Sequence, residues 1–394
     1  MPNSKITFAI FGATLLLAST SVSLAQDLNV VWKGAPELSS DDGNYKMKIR
    51  GRIFTDWGSI SDNSGKVADT TELRTGRIGI EGVIMKDIKY KFGVDFASGN
   101  SNIKNASIEW SLKPVSIVVG QYKVPVSLEE QTSSRYITFI ERSGITDAFG
   151  FGRNIGIGTN FLKNNFTIKA GVFQGTVAGN SDKEGRTYAL RSTYAAKIKN
   201  ALIHIGASAF HRENDQGILT KRYRQRPHHH LSPSRYVDTG NLNAKSDTFF
   251  GAEFGVVLGP LSAQTEWGRM KSNAATSTGI DASFSGGYVD VSYIITGENR
   301  GYKGGVFDRI EVANPVSSGG AGAFQIAARY DVIDLTDKVA DVFGGKQTSY
   351  IVGMNWYLNN YTRVMANYSN SKIDGGNNNG QNINTFGLRF QIDW

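Results

Sequence analysis

"TFGLRFQIDW" runs from Thr385 to Trp394, the last ten residues of the chain. Phe386, Leu388, Phe390, Ile392 and Trp394 share one parity; Gly387, Arg389, Gln391 and Asp393 share the other. Successive side chains on a strand point to opposite faces, so this is a strand with one apolar and one polar face. In water that apolar face is a costly exposed patch; in lipid it is favourable.

The same alternation recurs upstream. In "KMKIRGRIFTDW" (46–57) Met47, Ile49, Ile53 and Trp57 oppose Lys46, Lys48, Arg50 and Arg52. In "DIKYKFGVDF" (87–96) Ile88, Tyr90, Phe92, Val94 and Phe96 oppose Lys89, Lys91 and Asp95. Segments of this kind fall at 46–57, 72–84, 87–97, 102–112, 114–121, 152–162, 164–175, 186–198, 200–211, 247–258, 261–272, 285–297, 321–333, 347–358, 361–371 and 383–394. About ten residues is the length a tilted strand needs to cross a bilayer. The connections alternate short ("MK" at 85–86, Lys113, Lys163, Lys199, "GP" at 259–260, "NN" at 359–360) and long (58–71, 122–151, 176–185, 212–246, 273–284, 334–346, 372–382). Tight turns on one side and long loops on the other are the pattern of an outer-membrane barrel. The expectation is an all-β transmembrane antiparallel β-barrel of about 16 strands. Its last strand closes against the first, so no edge is left unpaired. Trp110, Tyr188, Tyr194, Trp356, Tyr361 and Trp394 lie near strand ends, where an aromatic girdle belongs. The segment 298–320 breaks the alternation, because it is long yet falls on the periplasmic side.

Bulk composition agrees. The chain has 394 residues, a net charge of +8, no Cys and 45 Gly. Only the N-terminus is continuously apolar: Lys5 precedes a run from Ile6 to Ala18, followed by Ser23 and Ala25 at signal-peptidase spacing. Residues 1–25 are expected to be a signal peptide cut after Ala25, residues 26–45 a short periplasmic segment, and residues 46–394 the barrel in the outer membrane of a Gram-negative bacterium.

The polar parity is then the lumen. It carries Lys46, Lys48, Arg50, Arg52, Arg77, Lys89, Lys91, Lys169, Arg191 and Arg389 against Asp56, Glu81, Asp95, Glu109 and Asp393. A basic wall favours anions wherever the pore is narrow relative to the screening length, about 10 Å at 0.1 M salt. The third outer loop, 122–151, has enough apolar residues of its own to fold inward and make that narrow place. It brings Lys123, Arg135 and Arg142 and also Glu129, Glu130, Glu141 and Asp147.

Three stretches, "LRTGRIGIEGVIMKDIKYKFGVDFA", "VGQYKVPVSLEEQTSSRYITFIER" and "GENRGYKGGVFDRIEVANP", resemble the phosphate-selective porin O and P family. The resemblance covers most of the chain and is strongest over 71–175 and 296–335. It implies a trimeric sixteen-stranded porin with an inward third loop, an arginine ladder, and a long periplasmic segment folded into the barrel. On it, Arg50, Arg52, Arg74 and Arg77 are ladder candidates, and Lys123 and Arg135 belong to the constriction. Arg74 shares parity with Ile78 and Ile80, so it reaches the lumen only across a bulge. Family members place lysines in the constriction loop; after Lys123 this loop has none and offers Glu129 and Glu130.

The expected function is passive diffusion of small anions, phosphate or polyphosphate among them, along Arg50, Arg52, Arg74, Arg77, Lys89, Lys91, Lys123, Arg135 and Arg142, with Glu129 and Glu130 as constriction acids. A general porin of weak ion selectivity is the alternative. A barrel enzyme is the remote one: it needs a His beside a nucleophile at the rim, and neither His204 nor His211 has one nearby in sequence. No cofactor, metal or nucleic acid is expected; outer-membrane lipid, lipopolysaccharide and two further copies of the chain are. "KRYRQRPHHHLSPSR" (221–235) reads as an outer basic loop, either collecting anions, touching lipopolysaccharide phosphates, or merely solvated. His228, His229 and His230 are adjacent in it, which is poor spacing for a metal site.

Overall fold

The protein is described by a computed structural model covering residues 28–32, 34–97, 99, 101–177, 185–213 and 219–394. The expected signal peptide, 1–25, lies outside the described residues. Sixteen antiparallel strands form the wall: β1 (Lys46–Asp62), β2 (Gly65–Ile84), β3 (Ile88–Asp95), β4 (Asn102–Leu112), β5 (Val115–Lys123), β6 (Arg153–Lys163), β7 (Phe166–Gln174) and β8 (Arg186–Ile198). They continue as β9 (Ala201–Glu213), β10 (Leu242–Leu258), β11 (Leu261–Ala274), β12 (Ala282–Ile294), β13 (Ala323–Asp337), β14 (Val342–Tyr357), β15 (Thr362–Asp374) and β16 (Asn382–Asp393). Each pairs with the next, and β16 returns to β1, with Asn384 opposite Ser61 and Asp393 opposite Arg52. At the seam the Trp394 N–H donates to the Gly51 carbonyl at 3.0 Å, and the Gly51 N–H to the Trp394 carbonyl at 3.2 Å. The Trp394 ring lies over Gly51, where a Cβ would stand 2.0 Å from it, so only glycine leaves room for the terminal indole.

Parity sorts the faces as the alternation predicts. On β16, Ile383, Thr385, Gly387, Arg389, Gln391 and Asp393 are buried, while Phe386, Phe390 and Ile392 are 39%, 58% and 44% exposed. The outward set continues around the wall through Ile53, Phe92, Ile108, Trp110, Ile157, Leu190, Phe250, Trp267 and Tyr350. Such a belt is stable only against hydrocarbon. Among the described residues no helix is long and apolar enough to cross a membrane.

Three loop readings need correction, the first being 334–346, which is mostly strand because β13 runs on to Asp337 and β14 starts at Val342, with Asp334 opposite Lys346. The segment 58–71 is not a loop. β1 and β2 run on to Asp62 and from Gly65, joined at Asn63 and Ser64, with the Ser64 N–H on the Asp62 carboxylate. The extension stands because other loops pack on it: Ile60 is fully buried, and the Tyr236 hydroxyl donates to Asp62. The basic segment 221–235 is not an outer solvated loop either. It turns into the barrel mouth and buries His228 and His229. The His229 ring lies against the far wall, where a Cβ on Gly58 or Gly387 would stand 2.7 or 2.6 Å from it.

The inward third loop follows β5. It carries two short helices, α1 (Leu128–Gln131) and α2 (Gly144–Ala148). Val126, Leu128, Phe139, Ile140, Ile145 and Phe149 are all within 3% of complete burial. Removing each such side chain from water contributes roughly 1.5–3 kcal/mol. Val126, Ile145 and Phe149 pack with apolar residues at lumen positions, among them Phe210, Phe249, Phe284 and Ile333, and Phe139 packs on Ala327 and Ile351. From the other end, the segment between β12 and β13 folds up inside the barrel. Phe307 packs on Leu128 and Val257, and the Gly305 carbonyl accepts from Arg191 at 2.7 Å. Together these insertions fill the arc of the lumen under β8–β13 with packed protein.

Candidate functional site

What remains open is a cavity of about 490 Å³ between the third loop and the wall of β1–β7. Twelve cationic side chains line it: Arg50, Arg52, Arg74, Arg77, Lys91, Lys104, Lys123, Arg135, Arg142, Arg153, Lys169 and Arg389. Three acidic ones do: Asp95, Glu109 and Glu141. Eight of the nine residues expected along an anion path are in this lining. The ninth, Lys89, is not; it is half-exposed and paired with Glu109 at 2.8 Å.

Arg74 gets there by the bulge its parity requires. Phe54 faces Thr75 and Thr55 faces Leu73, so Arg74 is the extra residue of β2. A bulge re-aims one side chain without breaking the ladder. Arg74 then meets Glu141 of the third loop at 3.1 Å, and Glu141 also meets Arg389 at 3.3 Å. Those two guanidiniums outweigh burial and hold the Glu141 carboxyl far below the usual range.

Glu129 and Glu130 do not line the cavity. Glu129 turns to the opposite wall, where Arg329 of β13 donates to one oxygen and the Ser143 N–H to the other at 2.7 Å. Burial pushes the Glu129 carboxyl up, but Arg329 and that N–H reverse it and keep it below its ordinary range. Glu130 lies 3.4 Å from both Lys123 and Arg142, and the balance comes out the same way. The constriction acids expected from the loop are therefore withdrawn from the opening and neutralised. Sequence spacing cannot show this, because Arg329 is 200 residues from Glu129.

The filled arc is tied together by ion pairs of the same kind. Arg329 also grips Asp290 at 2.6 Å, Arg191 grips Glu253 at 2.5 Å, and Arg212 grips Asp247 at 2.5 Å. Buried pairs of this kind mainly position what they join, since desolvation cancels much of their attraction. Among the described residues no three His, Cys, Asp or Glu side chains converge as metal ligands.

Lys104 and Arg153 were not anticipated. Lys104 shares parity with the outward Ile108 and Trp110, and a second bulge corrects it: Gly93 faces Asn105 and Val94 faces Ile103. Arg153 is the first residue of β6, where the chain leaves the third loop and alternation does not yet govern direction.

A closed sixteen-stranded barrel with an inward third loop and a basic gap beside it is the architecture of a porin. A profile described as phosphate-selective porin O and P matches residues 47–394. The chain belongs to that family. Porin O of Pseudomonas aeruginosa is 26% identical over 92% of this chain and 91% of its own length. A solved anion-selective porin from Comamonas acidovorans superposes with a TM-score of 0.58 at 12% identity, covering 89% of this chain and all of that one. A trimer form of OmpT, an outer-membrane protein of Vibrio cholerae, gives 0.59 at 11% identity over 89% of this chain and 99% of that one. At such identities the structures support the fold alone. The porin O and P chain is an outer-membrane β-barrel porin.

Proposed function

We propose that this porin passes small anions, phosphate among them, by passive diffusion. The observation that carries this reading is the cavity lining, with twelve cations against three carboxylates. An ion within a cavity of about 490 Å³ stays close to its cationic lining, whose field is screened only over about 8 Å at physiological salt. Withdrawal of Glu129 and Glu130 removes the main objection to anion preference. Arg and Lys hold oxyanions through charge-assisted hydrogen bonds, and conduction needs that hold to be weak enough to release. The reading extends to a homotrimer in outer-membrane lipid and lipopolysaccharide, exported by a signal cut after Ala25.

A general porin of weak selectivity is favoured by one observation: most of the lining cations already have a carboxylate partner. The deciding experiment is the reversal potential of the refolded protein in a planar bilayer under a KCl gradient. A potential of chloride sign supports the anion reading. A value near zero favours the general porin, and cation preference overturns both.

A further inference from the structure

The outward face of β7–β11 carries a pattern that conduction does not use. Strand pairing sets Ala170, Leu190, Ala209, Phe250 and Arg269 side by side in one row across the wall. Two residues nearer the outer loops, the next row is Val172, Tyr188, His211, Thr248 and Lys271. The first row alternates small and large: Leu190 and Phe250, 50% and 64% exposed, stand as ridges beside Ala170 and Ala209. The result is an apolar groove of about 630 Å³ on the lipid side of the barrel, reaching outward to His211 and Thr248. At that edge the wall turns cationic. β11 points Leu261 and Trp267 into lipid and, further along the same face, Arg269 and Lys271. Lys245, also exposed, is the extra residue of a bulge in β10, and Arg186 opens β8 at the same end. Two carboxylates stand among these four cations: Asp281, 2.8 Å from Lys271, and Glu213, opposite Arg186. Arg269 is exposed and, among the described residues, has no carboxylate at ion-pair distance. The patch lies just beyond Trp267, at the depth of an aromatic girdle, where lipid head groups begin.

We propose that this face is a binding site for one lipopolysaccharide molecule, with the lipid A phosphates on Arg269, Lys271 and Lys245 and an acyl chain in the groove between Leu190 and Phe250. The inference rests on reading the barrel as seated in an outer membrane with lipopolysaccharide around it. It moves that contact from the basic segment 221–235, which turns into the barrel mouth, to the wall. Cations at head-group depth, followed inward by an apolar groove, repeat the order of groups in a phosphorylated lipid. Arg and Lys meet phosphate oxygens through charge-assisted hydrogen bonds while their stems lie along the apolar wall. Each cation near an anionic head group adds to the hold, and the excess of cations over carboxylates leaves charge to give.

The test is binding of bis-phosphorylated lipid A to the folded protein in detergent, read by native mass spectrometry, with phosphate-free lipid A and phosphatidylglycerol as comparison probes. Each variant is first shown to keep the heat-modifiable gel mobility of a folded barrel. Wild type is expected to hold lipid A about tenfold more tightly than either comparison lipid, the scale of two cations facing phosphate. The combined Arg269→Gln, Lys271→Gln variant should lose that factor of about ten. Ala209→Leu, which fills the groove, should weaken lipid A by about fourfold, the loss of about one buried methylene, with single-channel conductance unchanged. Lys372→Gln removes an exposed cation at the outer end of β15 and should change affinity by less than about twofold. Equal weakening in Lys372→Gln marks a general surface charge and overturns the site. So does equal binding of phosphatidylglycerol, or unchanged affinity in the double variant or in Ala209→Leu. Loss of oligomers of the chain in these variants makes the face a contact between copies and overturns it too. In each of these cases a conducting wild type leaves the porin reading standing. A folded wild type that neither conducts nor binds lipid A overturns both.

Discussion

Glu266→Ala removes the acceptor that holds the third loop by its backbone. The Glu266 carboxylate, on β11, takes the N–H of Leu128 at 2.8 Å, the N–H of Glu129 at 2.7 Å and the Tyr288 hydroxyl at 2.7 Å. The site is sealed, with Glu266 only 4% exposed. A hydrogen bond to a charged group contributes roughly 1.5–3 kcal/mol, and buried donors left empty cost about as much. Two of the three bonds hold α1, so truncation weakens its docking by roughly 3–5 kcal/mol. Against that, the buried Leu128 side chain retains about 2 kcal/mol. The far part of the loop keeps its own anchors, with the Ile140 N–H on Asn367 at 2.6 Å and the Gly144 N–H on Asp331 at 3.0 Å. The expected result is local release around 127–132 with the barrel intact. Single-channel recordings of Glu266→Ala should show higher conductance and open-channel noise. Chloride preference should fall, because Glu129 leaves Arg329 for the water path. Glu266→Gln, which keeps one acceptor oxygen, should fall between. A folded Glu266→Ala barrel with wild-type conductance and noise would refute the claim that this carboxylate sets the loop's position.

Other perturbations separate the remaining contacts. Arg389→Met leaves Asp56, fully buried, without the guanidinium that meets it at 2.6 Å; a loss of about 3–5 kcal/mol is expected, read as a lower temperature for loss of the folded gel mobility. Gly387→Val places a side chain where the His229 ring lies, so it should unseat the tip of the loop between β9 and β10 and raise open-channel noise at neutral pH. Acid should act on the same tip. Burial, with Arg329 adding to it, lowers the His228 imidazole to about 4, although Glu129, Asp147 and Glu141 pull the other way. Burial and Arg389 lower His229 against Glu141, Asp56 and Glu72. The undocked loop binds protons that the docked one refuses, so docking weakens as pH falls from about 6.5 towards about 4, by up to roughly 3 kcal/mol for His228. Noise should rise over that window, and the combined His228→Gln, His229→Gln variant should lose the dependence.

The wall was legible because parity is a local property. Phe386 to Ile392 and Lys46 to Arg52 each declare their faces within a few residues, and lipid outside with water inside makes the alternation nearly unbroken. Reading fails where the backbone departs from period two. Arg74 stood on the wrong parity and reaches the cavity only by its bulge, which the sequence marks with no glycine at that position. The bulge at Lys104 hides its direction from parity in the same way. The insertions were harder, because their destinations are set by distant partners. Nothing near "HHH" announces that His229 will lie against Gly58 and Gly387. Nothing near "LEEQ" announces Arg329 or Glu266.

Those distant partners also account for the division of the lumen. Two insertions from opposite ends meet at Leu128 and Phe307 and occupy the arc whose wall supplies both acids and bases, so Arg191, Arg212 and Arg329 each find a buried carboxylate there. An arc of that kind is a poor path for ions, since its charges are already satisfied and its centre is apolar. The β1–β7 arc is the reverse, with cations in excess and no plug of its own. Glu129 belongs to the first arc by geometry although it sits in the loop that borders the second. Its carboxylate anchors the loop to Arg329 instead of repelling anions in the gap. A lysine-poor third loop is therefore compatible with an anion channel, because here the loop supplies the shape of the constriction and the facing wall supplies most of its charge.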